Sequence, residues 1–200
     1  MHMPFIRTRA LSVVAAAAIC LGAITARADD IATRIAGTWV GPGLDRVSAP
    51  GGAQAYMRRT VIFTATEETL RLEAFGDEAA TVRLFVYEST GPYRVLGPSS
   101  AVAGAYEVNL RNDRSLFTIH VPEAGLWRAL NLGACPLELG KAVEIAGCVA
   151  GPPFNTSACT DLDLIHVDPA GALRFGDQSV DRCVTRPTTL DRAHYVRAAP

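Results

Sequence analysis

Apolar and polar positions alternate along most of this chain, with the two-residue period of a half-buried strand rather than the period of a helix. Residues 69–75 alternate and stop at Gly76 and Asp77. Residues 81–87 alternate again and put Val82, Leu84 and Val86 on one face. Residues 105–110 do the same for Tyr106, Val108 and Leu110. Residues 56–63 are a strand by their β-branched and aromatic content. Gly37-Thr38-Trp39-Val40 predicts a first strand, followed by a Gly- and Pro-rich stretch, 41–52, read as a loop. Arg111 to Arg114 predicts a turn, with 115–121 as the hairpin partner of 105–110. Residues 162–167 and 172–175 predict a last hairpin about Asp168-Pro169-Ala170-Gly171. The best helix candidate is 123–132, just after Pro122.

About eight strands in a meander tend to close, because closure removes exposed strand edges. The expectation is an all-β, antiparallel, up-and-down β-barrel with a short helix and a disulfide-bonded C-terminal excursion around 135–148. At that strand number the interior is either filled by side chains or holds one small ligand.

The start of the chain has a different pattern. Arg7 and Arg9 precede an alanine-rich apolar run, 10–25, and Ala26-Arg27-Ala28 has the small-x-small form of a cleavage site. Residues 1–28 are therefore expected to be a cleaved signal peptide, and 29–200 a single barrel domain. No later stretch approaches the ~20 apolar residues of a membrane span. Losing Arg7, Arg9 and Arg27 leaves 16 basic against 20 acidic residues, a net charge of −4. That balance argues against a nucleic-acid partner. A periplasmic or secreted location follows from the leader.

Export changes how the cysteines are read. Cys135, Cys148, Cys159 and Cys183 remain after cleavage, and an even set in an oxidising compartment predicts two disulfides with three connectivities open. No Cys-x-x-Cys pair points to zinc. His120, His166 and His194 are scattered, and no Gly-x-Ser-x-Gly, His-Glu-x-x-His or P-loop occurs. No enzyme, metal or cofactor is expected, with a calycin-type isomerase or hydrolase as a remote third reading. Asp161 and Asp163, two apart on one strand, are expected on a solvated outer face.

Taken in order, several segments resemble one family. These are Gly37-Thr-Trp-Val40, Tyr56-Met-Arg-Arg-Thr-Val-Ile-Phe63, Gly104-Ala-Tyr106, Cys135 with Gly147-Cys148-Val149, Asp161-Leu-Asp-Leu-Ile165, Leu173-Arg-Phe-Gly-Asp177 and Arg186-Pro187-Thr188. The chain resembles the domain named for "adenomatous polyposis coli down-regulated" proteins, found in animal Wnt antagonists and in bacterial secreted proteins. It departs from that family at Leu44-Asp45 and near Gly76-Asp77, where the family's cysteines are absent as a pair. The resemblance implies a calycin or lipocalin-like barrel whose first-strand tryptophan plugs the closed end. It also implies an apolar pocket for a lipid or another apolar molecule. The composition, rich in alanine and arginine and poor in lysine, looks bacterial.

The expected function is non-covalent binding of an apolar or lipid-like small molecule, with Trp39, Arg58, Arg59, Phe63 and Tyr106 as ligand-binding residues. Arg58 and Arg59 face opposite ways on a strand, so one of them points inward and would meet an anionic head group. The rival reading is a filled barrel that docks an envelope protein. The cysteines are expected to pair as Cys135–Cys148 and Cys159–Cys183, each closing a local segment.

Overall fold

Inward and outward residues do alternate, and they do so around an antiparallel sheet that comes back almost onto itself. The computed structural model describes residues 30–48, 52, 54–149 and 159–199, so the leader at 1–28 and the loop at 151–157 lie outside the described residues. The strands are β1 (Gly37–Val40), β2 (Asp45–Ser48), β3 (Gln54–Phe63), β4 (Glu67–Phe75), β5 (Arg83–Pro98) and β6 (Tyr106–Arg111). They continue with β7 (Arg114–Ile119), β8 (Ala142–Glu144), β9 (Thr160–Val167), β10 (Leu173–Phe175) and β11 (Val196–Arg197). A helical turn, α1, covers residues 30–35, and α2 (Ala124–Ala129) is shorter than the sequence pattern suggested.

The order around the sheet is β10-β9-β6-β5-β4-β3-β1-β11. Tyr195, just before β11, bridges to Leu173 of β10 through two backbone hydrogen bonds of 2.8 and 2.9 Å. The result is the expected nearly closed antiparallel barrel, carrying the disulfides Cys135–Cys148 and Cys159–Cys183. The β9–β10 hairpin is present, with Phe175 opposite Ile165.

Three expectations need correction. First, part of the stretch read as a loop at 41–52 is a strand: β2 pairs with β3. Second, the strand read at 81–87 runs on to Pro98. Third, residues 111–114 are not a hairpin turn. β6 pairs with Tyr93–Pro98 of β5, and β7 pairs with Phe85–Thr90 on the same edge. The two are collinear, and the break between them faces Gly91 and Pro92. A Cβ at Gly91 would lie 1.7 Å from the Arg111 carbonyl oxygen, so only glycine lets the chain cross there. Proline, which has no N–H for a ladder, is tolerated beside such a gap.

Two packed clusters close the barrel. At one end Ile31 and Ile35 of α1 pack with Trp39, Val61, Phe63, Val108, Ile165 and Leu173. At the other, α2 and the disulfide excursion bring Trp127, Leu132 and Ile145 onto Phe85 and Phe117. The first end is fastened through Trp39. The last carbonyls of a helix lack partners inside it; here the Trp39 indole N–H donates to Ile35 at 2.6 Å. Arg197 lies 4.5 Å over the indole and donates to the carbonyls of Ala36 and Arg34, at 2.7 and 2.6 Å. Gly37 has φ of +112°, and a Cβ there would come within 3.0 Å of the Arg197 guanidinium. The glycine of the Gly-x-Trp pattern is thus needed where the arginine passes.

Candidate functional site

Between the two clusters the interior is not filled. A cavity of about 280 Å³ remains. The alternation of the strands decides what lines it. Odd-numbered residues of β3 point inward, so Met57, Arg59 and Val61 face the space. Even-numbered residues of β4 do the same, bringing Glu68, Leu70 and Leu72. Leu110 of β6 and Phe175 of β10 complete an apolar wall.

The opposite wall is polar. Asp161 and Asp163 of β9 point inward and are 6% and 0% exposed, so the expected solvated outer face is wrong. Leu164, on the other face of the same strand, is fully buried too. With both faces covered, the Asp-Leu-Asp-Leu alternation could not say which side was inside. Where β10 ends, the segment after it runs along this edge: Leu162 N–H donates to Arg182 O at 2.9 Å, and Gly176 N–H donates to Leu164 O at 3.2 Å.

Asp163 is fully engaged. Its Oδ1 accepts from the amides of Leu164 and Gly176 at 2.7 and 2.9 Å, and its Oδ2 accepts from Arg182 at 2.7 Å. Burial pushes its carboxyl up, against the pull of Arg182 and the two amides. Arg182 also reaches Asp161, at 3.4 Å.

Glu68 differs from these two. It is 8% exposed and lines the cavity, and its carboxyl is hydrogen-bonded by no described residue. Burial, with the nearby Asp161 second and in spite of Arg182, pushes its carboxyl up to about 8. It is therefore mostly protonated at neutral pH and offers the cavity both a donor and an acceptor.

Arg59 lines the cavity, as one of the two arginines was expected to, but its Nε donates to Asp45 at 2.7 Å and its guanidinium lies 5.5 Å from the Tyr195 ring centroid. Arg58 is on the outer face, 3.6 Å from Glu73 and over the Phe75 ring. Trp39 and Phe63 lie in the packed floor with Tyr106 against them, below the cavity rather than around it. Phe63 there stacks on Phe175 and meets Tyr93 edge-on.

Sequence reasoning missed Glu68, Asp161, Asp163 and Arg182. One signal was present: pairing Cys159 with Cys183 sets Asp161, two residues after the first cysteine, beside Arg182, next to the second. Among the described residues, one group has metal-ligand character, Cys159, Asp161 and Cys183, but its two sulfurs form the disulfide and are not thiolates. The chain matches no protein-family model and no curated protein.

Proposed function

We propose that this chain is an exported binding protein that holds a small, largely apolar molecule non-covalently inside its barrel. The observation that carries the reading is the cavity between two packed ends, with one wall of aliphatic side chains and Phe175. Pockets that bury small ligands are apolar with a few placed polar groups and begin at roughly 300 Å³. The volume here lies at that lower bound, which favours a compact ligand over a two-chain lipid. Affinity would come from apolar area removed from water, roughly 25 cal/mol per Å² before the costs of association.

The resemblance to the "adenomatous polyposis coli down-regulated" domain agrees with this reading, and so does the leader-like start at 1–28. Two disulfides fit an oxidising compartment, and no described helix is long and apolar enough to cross a membrane. An anionic head group held by arginine, as expected from sequence, has less support: Arg58 faces outward, and Arg59 already has Asp45.

The test is native mass spectrometry of the protein from its own host, followed by a thermal-shift screen of apolar metabolites. A retained small molecule, and hits abolished by the cavity-filling Leu72→Trp, are expected. A ligand that binds only the native state raises the melting temperature by mass action. No hit in any class, together with a stoichiometric protein partner, would establish the interaction-module reading instead.

A further inference from the structure

Resting on the reading of the cavity as a ligand site, we infer that its occupant carries a cationic amine and that Glu68 is the group that meets it. Four acids and two arginines line the space: Glu68, Asp161, Asp163 and Asp191 against Arg59 and Arg182. Both arginines are already engaged, Arg59 with Asp45, and Arg182 with Asp163 and Asp161. Asp163 has its three donors. Asp161 has Arg182, and Asp191 accepts from the Ala193 amide at 2.9 Å. Glu68 remains, more than nine-tenths buried and lining the cavity, its carboxyl hydrogen-bonded by no described residue and Arg182 acting on it only as a nearby charge.

A buried carboxyl in that state is costly unless a ligand supplies the missing partner. A carboxylate ligand would be repelled by the surplus of acids. A divalent ion such as Ca²⁺ wants about six to eight oxygens, whereas much of this lining is aliphatic and Asp163 is already satisfied. An ammonium group on an apolar body suits both walls: N–H donors and positive charge for Glu68, and hydrocarbon for Leu70, Leu72 and Phe175.

The chemistry carries a proton signature. Glu68 is faced by Tyr87 of β5, by Asp161 and Asp163 of β9, and by Arg182 and Tyr195 of the C-terminal segment, with Arg59 and Asp191 on the same lining. Burial first, then the charges of Asp161 and Asp163, hold its proton on against the opposing pull of Arg182. A bound ammonium favours the carboxylate, so the proton leaves to solvent as the ligand enters. A neutral alcohol would leave the proton in place.

The experiment is isothermal titration of the disulfide-intact protein with 2-phenylethylamine and n-hexylamine, alongside the matching alcohols and carboxylic acids. It is run from pH 6 to 9 in buffers of different ionisation enthalpy. Amines should bind with release of close to one proton below pH 8, and their affinity should rise about tenfold per pH unit up to there. Glu68→Gln, nearly isosteric and neutral, should weaken the amines about 100-fold or more and leave the alcohols within a few-fold. Alcohols binding as well as amines, amine binding without proton release, or amine binding untouched by Glu68→Gln would overturn the inference and leave the pocket reading standing. So would a Glu68-dependent thermal shift with CaCl₂ or ZnCl₂ alone. If neither amines nor alcohols bind, and Leu72→Trp changes nothing, the pocket reading falls with it.

Discussion

Asp163 accepts from two backbone amides and one guanidinium in a fully buried position, so it acts as a junction between β9 and the segment that follows β10. Removing one member of a buried ion pair leaves the other uncompensated and costs about 3–5 kcal/mol. Asp163→Ala is expected to lose stability on that order in a urea melt, and a loss under about 1 kcal/mol would contradict the assignment. Glu68 makes a different prediction. Its carboxyl titrates near 4.5 when unfolded and near 8 when folded, so between those values the folded state holds a proton that the unfolded state has lost. Its contribution is fully present below about pH 4.5 and is lost as pH rises through about 8, the whole shift being on the order of 4–5 kcal/mol. Glu68→Gln should flatten the decline in stability from pH 5 to 9 and be more stable than the parent at pH 9. Parallel pH profiles for the two proteins would refute the raised titration. None of this was legible in sequence. A strand buried on both faces gives alternation no meaning, and a burial-driven shift depends on neighbours from β9 and the tail that are distant in the chain.

Among the elements, β3 and β4 follow from β-branched content and alternation, whereas β9, covered on both faces, could be read as a strand but not for which face points inward. The second half of β5 was hidden because Gly91-Pro92 and Gly97-Pro98 look like breakers. In the sheet, the first pair marks the gap between the partners of β5, since Thr90 pairs with Arg114 of β7 and Tyr93 with Leu110 of β6. Gly91→Ala should therefore be among the most damaging small substitutions, with its Cβ driven into backbone at 1.7 Å. A variant with a parental melting temperature would show that the crossing is looser than described. The disulfides are elements too. Cys135–Cys148 and Cys159–Cys183 span 13 and 24 residues, and loops of such lengths correspond to about 3 kcal/mol each in the chain-entropy model. The second holds Arg182 beside Asp161. Replacing Cys159 and Cys183 by serine should thus weaken ligand binding at a temperature where the protein is still folded, more than replacing Cys135 and Cys148. Equal effects on binding would count against the clamp.

On the scale of the whole molecule, the barrel carries two packed clusters with a partly polar cavity between them. Its floor depends on Trp39, with Arg197 laid over it. Trp39→Ala should cost on the order of 3–5 kcal/mol. Arg197→Ala should cost about 2 kcal/mol through the lost ring contact and carbonyl bonds, and should shift Trp39 emission to the red in a Trp127→Phe background. Unchanged emission in Arg197→Ala would mean that the floor does not need the arginine. Through its bond to the Ala36 carbonyl, Arg197 also ties together parts of the chain separated by 161 residues, and that closure has a meaning in time as well as in energy. Among the described residues, β1 and β10 are joined in the sheet only through Tyr195 and β11, which follow the other described strands in sequence. Until those residues arrive, the sheet is an open ribbon with two bare edges, and such edges pair readily with other chains. Contacts this distant also form slowly. The hazardous interval in the life of this protein is therefore its late folding, when the ribbon is complete but the ring is not. A chaperone that covered those two edges would act at the step where aggregation competes most strongly with closure.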